Sequence, residues 1–270
     1  MHRTLCLFAA VALLAGIVAR PVPDRVPPAR AILGFVRPFL LPTLWHRLET
    51  ATRQGDPAAT IAVGVAVTAL LPEWTDGVAH FAWELATAHA SEARSDSEAL
   101  DRVLRAVAWL EEEAARREAA APGRAAELLV SAAAIARARA GEGTRLATAF
   151  RERLGRDAAE IAHGLVVRAT RIEDDETWRR LGGHLAVRAV AGALRAGSVE
   201  RAEALRTTAI ATLATSDDPY SRRVAAALER LGDLGLLTSE APSADDPSGD
   251  PLLRDVFDAL AAFRRGSPPR

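Results

Sequence analysis

The chain has no lysine and no asparagine, one cysteine, one methionine, one tyrosine and aromatic content of only 5% across 270 residues. A single cysteine excludes an internal disulfide and any cysteine-based metal site, and is compatible with any compartment. With so few aromatic rings, alanine, leucine and valine must do most of the packing. Because lysine is missing, all 34 basic residues are arginine. Those arginines alternate with Asp and Glu at helical spacing, the pattern of a solvated helix face, so the substitution reads as the codon bias of a GC-rich genome. Net charge is −1, which argues against a phosphate-binding field over the whole surface and against a nucleic-acid partner. Runs of alternating β-branched residues are also missing, so no sheet is expected.

One long apolar run is present. His2 and Arg3 precede residues 5–19, Arg20 ends the run, and Pro21, Pro23, Pro27 and Pro28 follow. A basic start and an apolar stretch of this length fit a signal peptide or a single-pass anchor. Ile17 is a poor residue for a cleavage site, and Cys6 lies too early for a lipoprotein signal. Residues 1–20 are therefore expected to be a signal peptide or membrane anchor, with membrane contact through residues 4–20 and residues 21–40 as a Pro-rich tether. The bulk of the chain is expected on the exported side of a membrane, or secreted or periplasmic, although Arg20, Arg25 and Arg30 would by charge alone favour the opposite orientation. Residues 31–45 are a second apolar stretch, interrupted by Pro38 and Pro42, and are expected to cover the first helix of the domain.

From residue 40 to 236 the strong helix formers dominate. Breakers divide this region into helices at about 43–53, 57–71, 75–90, 95–118, 124–140, 144–154, 157–170, 177–196, 199–214 and 220–236. Asp56-Pro57 is a cap followed by proline at the first helical position. Residues 237–250 are acidic and rich in Ser and Pro, with no apolar face, and are expected to be a disordered linker. A final helix over 251–266 places Leu252, Leu253, Val256, Phe257, Leu260 and Phe263 on one face. It is expected to pack back on the last hairpin as a cap, or alternatively to be a tethered peptide that docks onto a partner or the same groove.

Spacing within this region points to repeats. Gly55 stands at a turn between two helices, Pro72 closes the second of them, and Leu48, Ile61, Val67 and Ala82 fall at helix-contact positions. Gly197, Ala202 and Ala209 repeat part of the pattern. These residues resemble the tetratricopeptide repeat, a helix–turn–helix unit of about 34 residues. Thr60 and Gly64 depart from it, and Gly55 and Gly197 are not separated by a whole number of repeats. The resemblance implies an all-α array of α-hairpins, a TPR-like α-solenoid over residues 41–236. It also implies recognition of a protein or peptide partner on the surface that the stacked hairpins present.

Chemistry is poorly signalled. His80 and Glu84 are one helical turn apart, and His89 lies beyond them, too far round the helix to share a metal. The acidic run 173–176 reads as a helix cap, since Thr177 and Trp178 occupy the positions where a metal-binding helix would repeat its carboxylates. His163 and His184 have no evident nucleophile beside them, and Ser131 sits inside an alanine-rich helix. No catalytic, cofactor-binding or metal-ligating residue is assigned. The favoured reading is a non-enzymatic membrane-anchored or exported scaffold for protein–protein interaction, and a separate, structural option is a homo-oligomer joined through residues 31–45. The alternative is an all-helical small-ligand binder or enzyme with a pocket near His80, Trp83 and Glu84.

Overall fold

The structure, a computed structural model, describes residues 28–71, 74–230 and 251–264. All described elements are helical, and they pack helix against helix. Two compact units divide the chain, Met1–Pro72 and Glu73–Arg270.

The first unit is a hairpin of α1 (Pro28–Arg53) and α2 (Pro57–Leu70). Leu48 and Ala51 of α1 and Val67 and Leu70 of α2 are buried, and Ile61 is half-buried. Gly55 makes the turn at φ 66°, where a side chain would be strained. Its N–H donates to Thr52 O and that of Asp56 donates to Ala51 O. This is the Schellman pattern, which satisfies the last carbonyls of α1. Asp56 then caps α2 by accepting from the N–H groups of Ala58 and Ala59 at 3.0 Å each. The cap lies where Asp56-Pro57 places it in the sequence.

Two expectations need correction here. Helix α1 begins at Pro28, inside the stretch expected as a tether, and runs through Pro38 and Pro42 instead of stopping at them. Each proline removes one helical hydrogen bond and crowds the carbonyl four residues back. Both prolines lie on the exposed side of α1, so the freed carbonyls can turn to water. Among the described residues no helix is long and apolar enough to cross a membrane, α1 included. The apolar run 5–19, Pro72 and the linker 237–250 lie outside the described residues.

The second unit begins with α3 (Thr75–Glu84), which continues into a π-helical turn, Leu85–His89. Thr87 Oγ1 donates to Trp83 O at 2.8 Å and Ser91 Oγ to Thr87 O at 2.7 Å. Such back-bonding competes with the helical ladder and accompanies local distortion. Helix α4 (Asp96–Arg117) is capped by Ser95, which accepts from Glu98 N–H, while Glu98 reaches back to Arg94 N–H. That last hydrogen bond, from the Arg94 backbone, holds the Glu98 carboxyl below its ordinary pKa.

Helices α5 (Pro122–Ala140), α6 (Ala147–Leu154), α7 (Ala158–Ile172), α8 (Glu176–Arg195), α9 (Val199–Ala214), α10 (Pro219–Arg230) and α11 (Pro251–Arg264) complete the unit. Packing follows the order α4, α5, α7, α8, α9, α10, with α6 beside α5 and α7 and with α11 laid on α8. Asp175 caps α8 by accepting from Trp178 N–H at 2.9 Å, so the acidic run 173–176 does serve as a helix start. Gly197, at φ 75°, closes the α8–α9 turn with the same Schellman pair as Gly55: Gly197 N–H to Leu194 O and Ser198 N–H to Ala193 O.

Helix α8 is the hub, touched by α7, α9 and α11. It carries three interior glycines, each costing about 1 kcal/mol relative to alanine. Two of them allow close approach. A Cβ on Gly183 would stand 2.5 Å from Leu213 Cδ2 of α9, and one on Gly182 would stand 3.3 Å from Val166 Cγ1 of α7. The cluster around α8 buries Val187, Val190 and Leu194 with Ala202, Ala209 and Leu213 of α9. It also buries Leu253, Val256 and Leu260 of α11. The C-terminal helix thus packs through part of its expected face, but on α8 rather than on the closing α9–α10 hairpin. Phe257 is only partly buried, Phe263 is 39% exposed, and Leu252 lies on α11 with its side chain outside the described set.

Candidate functional site

A cavity of about 520 Å³ opens to solvent in the second unit. Its walls come from the end of α5 and the following loop (Arg137, Glu142, Thr144), from α6 (Thr148, Arg151), from the start of α7 (Asp157, Ala158) and from the later half of α8 (Arg188, Arg195). Four guanidiniums therefore meet two lining carboxylates. A volume of this order matches known ligand sites, but those are mostly apolar and enclosing. This one is charged and open.

The floor is built around Asp157. One carboxylate oxygen accepts from Glu160 N–H at 2.8 Å and caps α7. The other lies against Gly192 of α8, where a Cβ would sit only 1.4 Å away. Burial pushes the Asp157 carboxyl up to about 6, and neighbouring Glu160 adds to the rise, while the Glu160 N–H and Arg195 oppose it. At one side Arg195 bridges two elements. Its Nη1 is 2.8 Å from Glu142 Oε1, and its Nη2 is paired with Asp255 Oδ1 of α11. Burial also raises the Asp255 pKa, against the pull of Arg195 and, more weakly, of Arg188.

The other three guanidiniums, of Arg137, Arg151 and Arg188, form no hydrogen bond or ion pair with a described residue. Elsewhere in the unit some exposed arginines are matched and others, such as Arg105, Arg171 and Arg222, are not matched by any described residue. Arg124, Arg145, Arg153 and Arg168 each have a carboxylate within 3.0 Å. Arg137 and Arg151 stand in the last turns of their helices, where a cation is favoured by the macrodipole. That rule does not cover Arg188, which lies in the middle of α8.

Residues singled out from the sequence lie elsewhere. His80 and Glu84 are 3.7 Å apart, and His80 and Trp83 are exposed on α3 and do not line this cavity. His89 is buried, and Glu92 is its nearby carboxylate, at 4.0 Å. No group of three or more metal-ligating side chains occurs among the described residues. Leu48, Ile61, Val67, Ala82, Ala202 and Ala209 are helix-packing residues, buried or half-buried. One expectation is corrected: His184 does have a hydroxyl beside it, since Ser221 Oγ is 3.3 Å from its Nε2. Ser221 is fully buried and donates to Asp218 Oδ2 at 2.7 Å. That hydrogen bond holds the Asp218 carboxyl below its ordinary pKa. Asp218 also accepts from Ser221 N–H, so the group closes the start of α10 and offers no accessible nucleophile.

The cavity left no trace in the sequence because its walls come from four separate stretches. Each arginine, read alone, belongs to a solvated helix face. Comparison with protein-family models, with curated proteins and with solved structures finds no match to this chain.

Proposed function

We propose that the protein is a helical scaffold that binds another polypeptide, and that the open charged cavity of the second unit is the contact surface. The observation that carries this reading is the set of three guanidiniums without carboxylate partners among the described residues around an open, polar-walled cavity. An enclosed apolar pocket would instead have favoured a small ligand. The α-hairpin array supports the same reading. In both units a hairpin is closed by the same glycine turn, at Gly55 and at Gly197, with Ala202 and Ala209 packed beneath the second. This is the arrangement expected of a tetratricopeptide-like solenoid. The run of residues 5–19 between Arg3 and Arg20 supports a location at or across a membrane.

A photo-crosslinking residue at Thr148 tests the contact surface, with one at exposed Arg222 on α10 as the control. The proposal expects a defined polypeptide adduct from Thr148 in the native host and none from Arg222. Equal adducts from both positions, or none from Thr148, would remove it.

A further inference from the structure

We infer that the group taken up by this cavity is anionic: carboxylate or phosphoryl oxygens carried on a segment of the partner chain and held by Arg137, Arg151 and Arg188. The inference rests on the scaffold reading and names the chemistry of its partner.

The argument is one of local charge. The chain as a whole is nearly neutral, at −1, and four exposed arginines outside the cavity have a carboxylate at 2.7 to 3.0 Å. Around the cavity four guanidiniums converge on two lining carboxylates. The carboxylates that are present are already engaged. Glu142 and Asp255 hold Arg195, and Asp157 is turned onto its own helix start and against Gly192. None of them forms an ion pair with Arg137, Arg151 or Arg188. Those three come from α5, α6 and α8, so the free donors are spread round the opening instead of lying along one helix.

A guanidinium offers its N–H groups as a planar fork that matches a carboxylate or a phosphate in two parallel hydrogen bonds. Three such forks on separate walls of an open cavity suit a segment bearing several anionic groups. A hydrophobic or basic segment would leave the forks unmatched and would place its own cations beside them.

The test measures binding of three labelled peptides to the full chain at low ionic strength: hexaglutamate, a Gly/Ser peptide with two phosphoserines, and the same Gly/Ser peptide unmodified. The variant R137E/R151E/R188E is compared with R105E/R222E/R223E, which changes net charge equally at exposed positions that do not line the cavity. The inference expects hexaglutamate, the phosphopeptide or both to bind, and the unmodified peptide not to. It expects the cavity variant to weaken binding roughly tenfold or more, the loss of at least one charge-assisted hydrogen bond, and the control variant to weaken it much less. Stronger binding of hexaglutamate assigns the carboxylate source, and stronger binding of the phosphopeptide assigns the phosphoryl source. Equal weakening by both variants, or no binding of either anionic peptide, overturns the inference. In the latter case a Thr148 adduct would still stand, so the scaffold reading and the anionic one fail separately. Should the triple variant not fold, R188Q at the exposed mid-helix position carries the same comparison.

Discussion

The two halves of α8 use glycine for opposite purposes. In the first half, Gly182 and Gly183 let α7 and α9 close in until apolar side chains touch the helix backbone. In the second half, Gly192 makes room for a carboxylate, and Arg188 and Arg195 turn the same helix into a wall of the charged cavity. The first arrangement joins helices. The second sets a polar group in place at the floor of an opening. One helix thereby anchors the fold at one end and presents a site at the other.

Changes in the first half should have the largest effects. Leu213→Ala removes the fully buried side chain that lies over Gly183, and should cost about 2–5 kcal/mol in denaturant unfolding. The second half should respond in the other direction. Asp157 has a carboxyl pKa raised from 3.8 to about 6, so the folded chain holds that proton more tightly than the unfolded chain does. Ionisation therefore works against folding: the penalty is absent below about pH 4 and complete above about pH 6 to 7. Asp157→Asn should accordingly stabilise the protein at pH 7.5 by up to about 3 kcal/mol, since each tenfold change in proton affinity is worth about 1.4 kcal/mol. The gain should vanish at pH 4. Unfolding measured at the two pH values checks both sign and window.

Some of this division can be read from the sequence. Asp56, Ser95 and Asp175 are recognisable caps because capping is local: the side chain and the N–H it satisfies lie within three residues. Gly55 and Gly197 are recognisable turns for the same reason. The buried face of the C-terminal helix follows from the apolar spacing of Leu253, Val256 and Leu260, whereas its seat on α8 does not. The full extent of helix α1 is hidden because proline is normally decisive, and here solvent exposure reduces its cost. The cavity is hidden because pairing is a long-range property. No local pattern separates Arg168, matched by Glu111 at 2.7 Å across 57 residues, from Arg188, which has no ion-pair partner among the described residues. The Ser221–His184 contact spans 37 residues and is equally hidden.

Two glycine replacements sharpen the comparison with smaller effects. Gly183→Ala would set a Cβ 2.5 Å from Leu213 Cδ2, and Leu213 is fully buried. Overpacking of about 1–3 kcal/mol should outweigh the gain in helix propensity, giving a net loss of roughly 1 kcal/mol. In the Leu213→Ala background the same change should cost less or become favourable, because the added methyl enters vacated space. Gly192→Ala meets the end of the Asp157 side chain, which can swing into the cavity. Loss of the α7 cap, about 0.5–2 kcal/mol, is then offset by about 1 kcal/mol of helix propensity, so stability at about pH 4 should change little, while release of the ionised Asp157 from its buried position should leave the variant more stable than the parent at about pH 7. The pH dependence assigned to Asp157 should disappear with it. Smallest of all, Phe263→Ala on the exposed edge of α11 should stay within about 0.5 kcal/mol of the parent.

The most direct measurement for the central claim is the unfolding free energy of R137A/R151A/R188A beside the parent chain. If these arginines await a ligand, the fold does not need them. The loss should then be about 1 kcal/mol, the macrodipole contribution of the two last-turn cations, with an unchanged denaturant slope. A loss of about 3 kcal/mol or more, the scale on which a broken buried ion pair destabilises a fold, would contradict the account and make the arginines part of what holds the unit together.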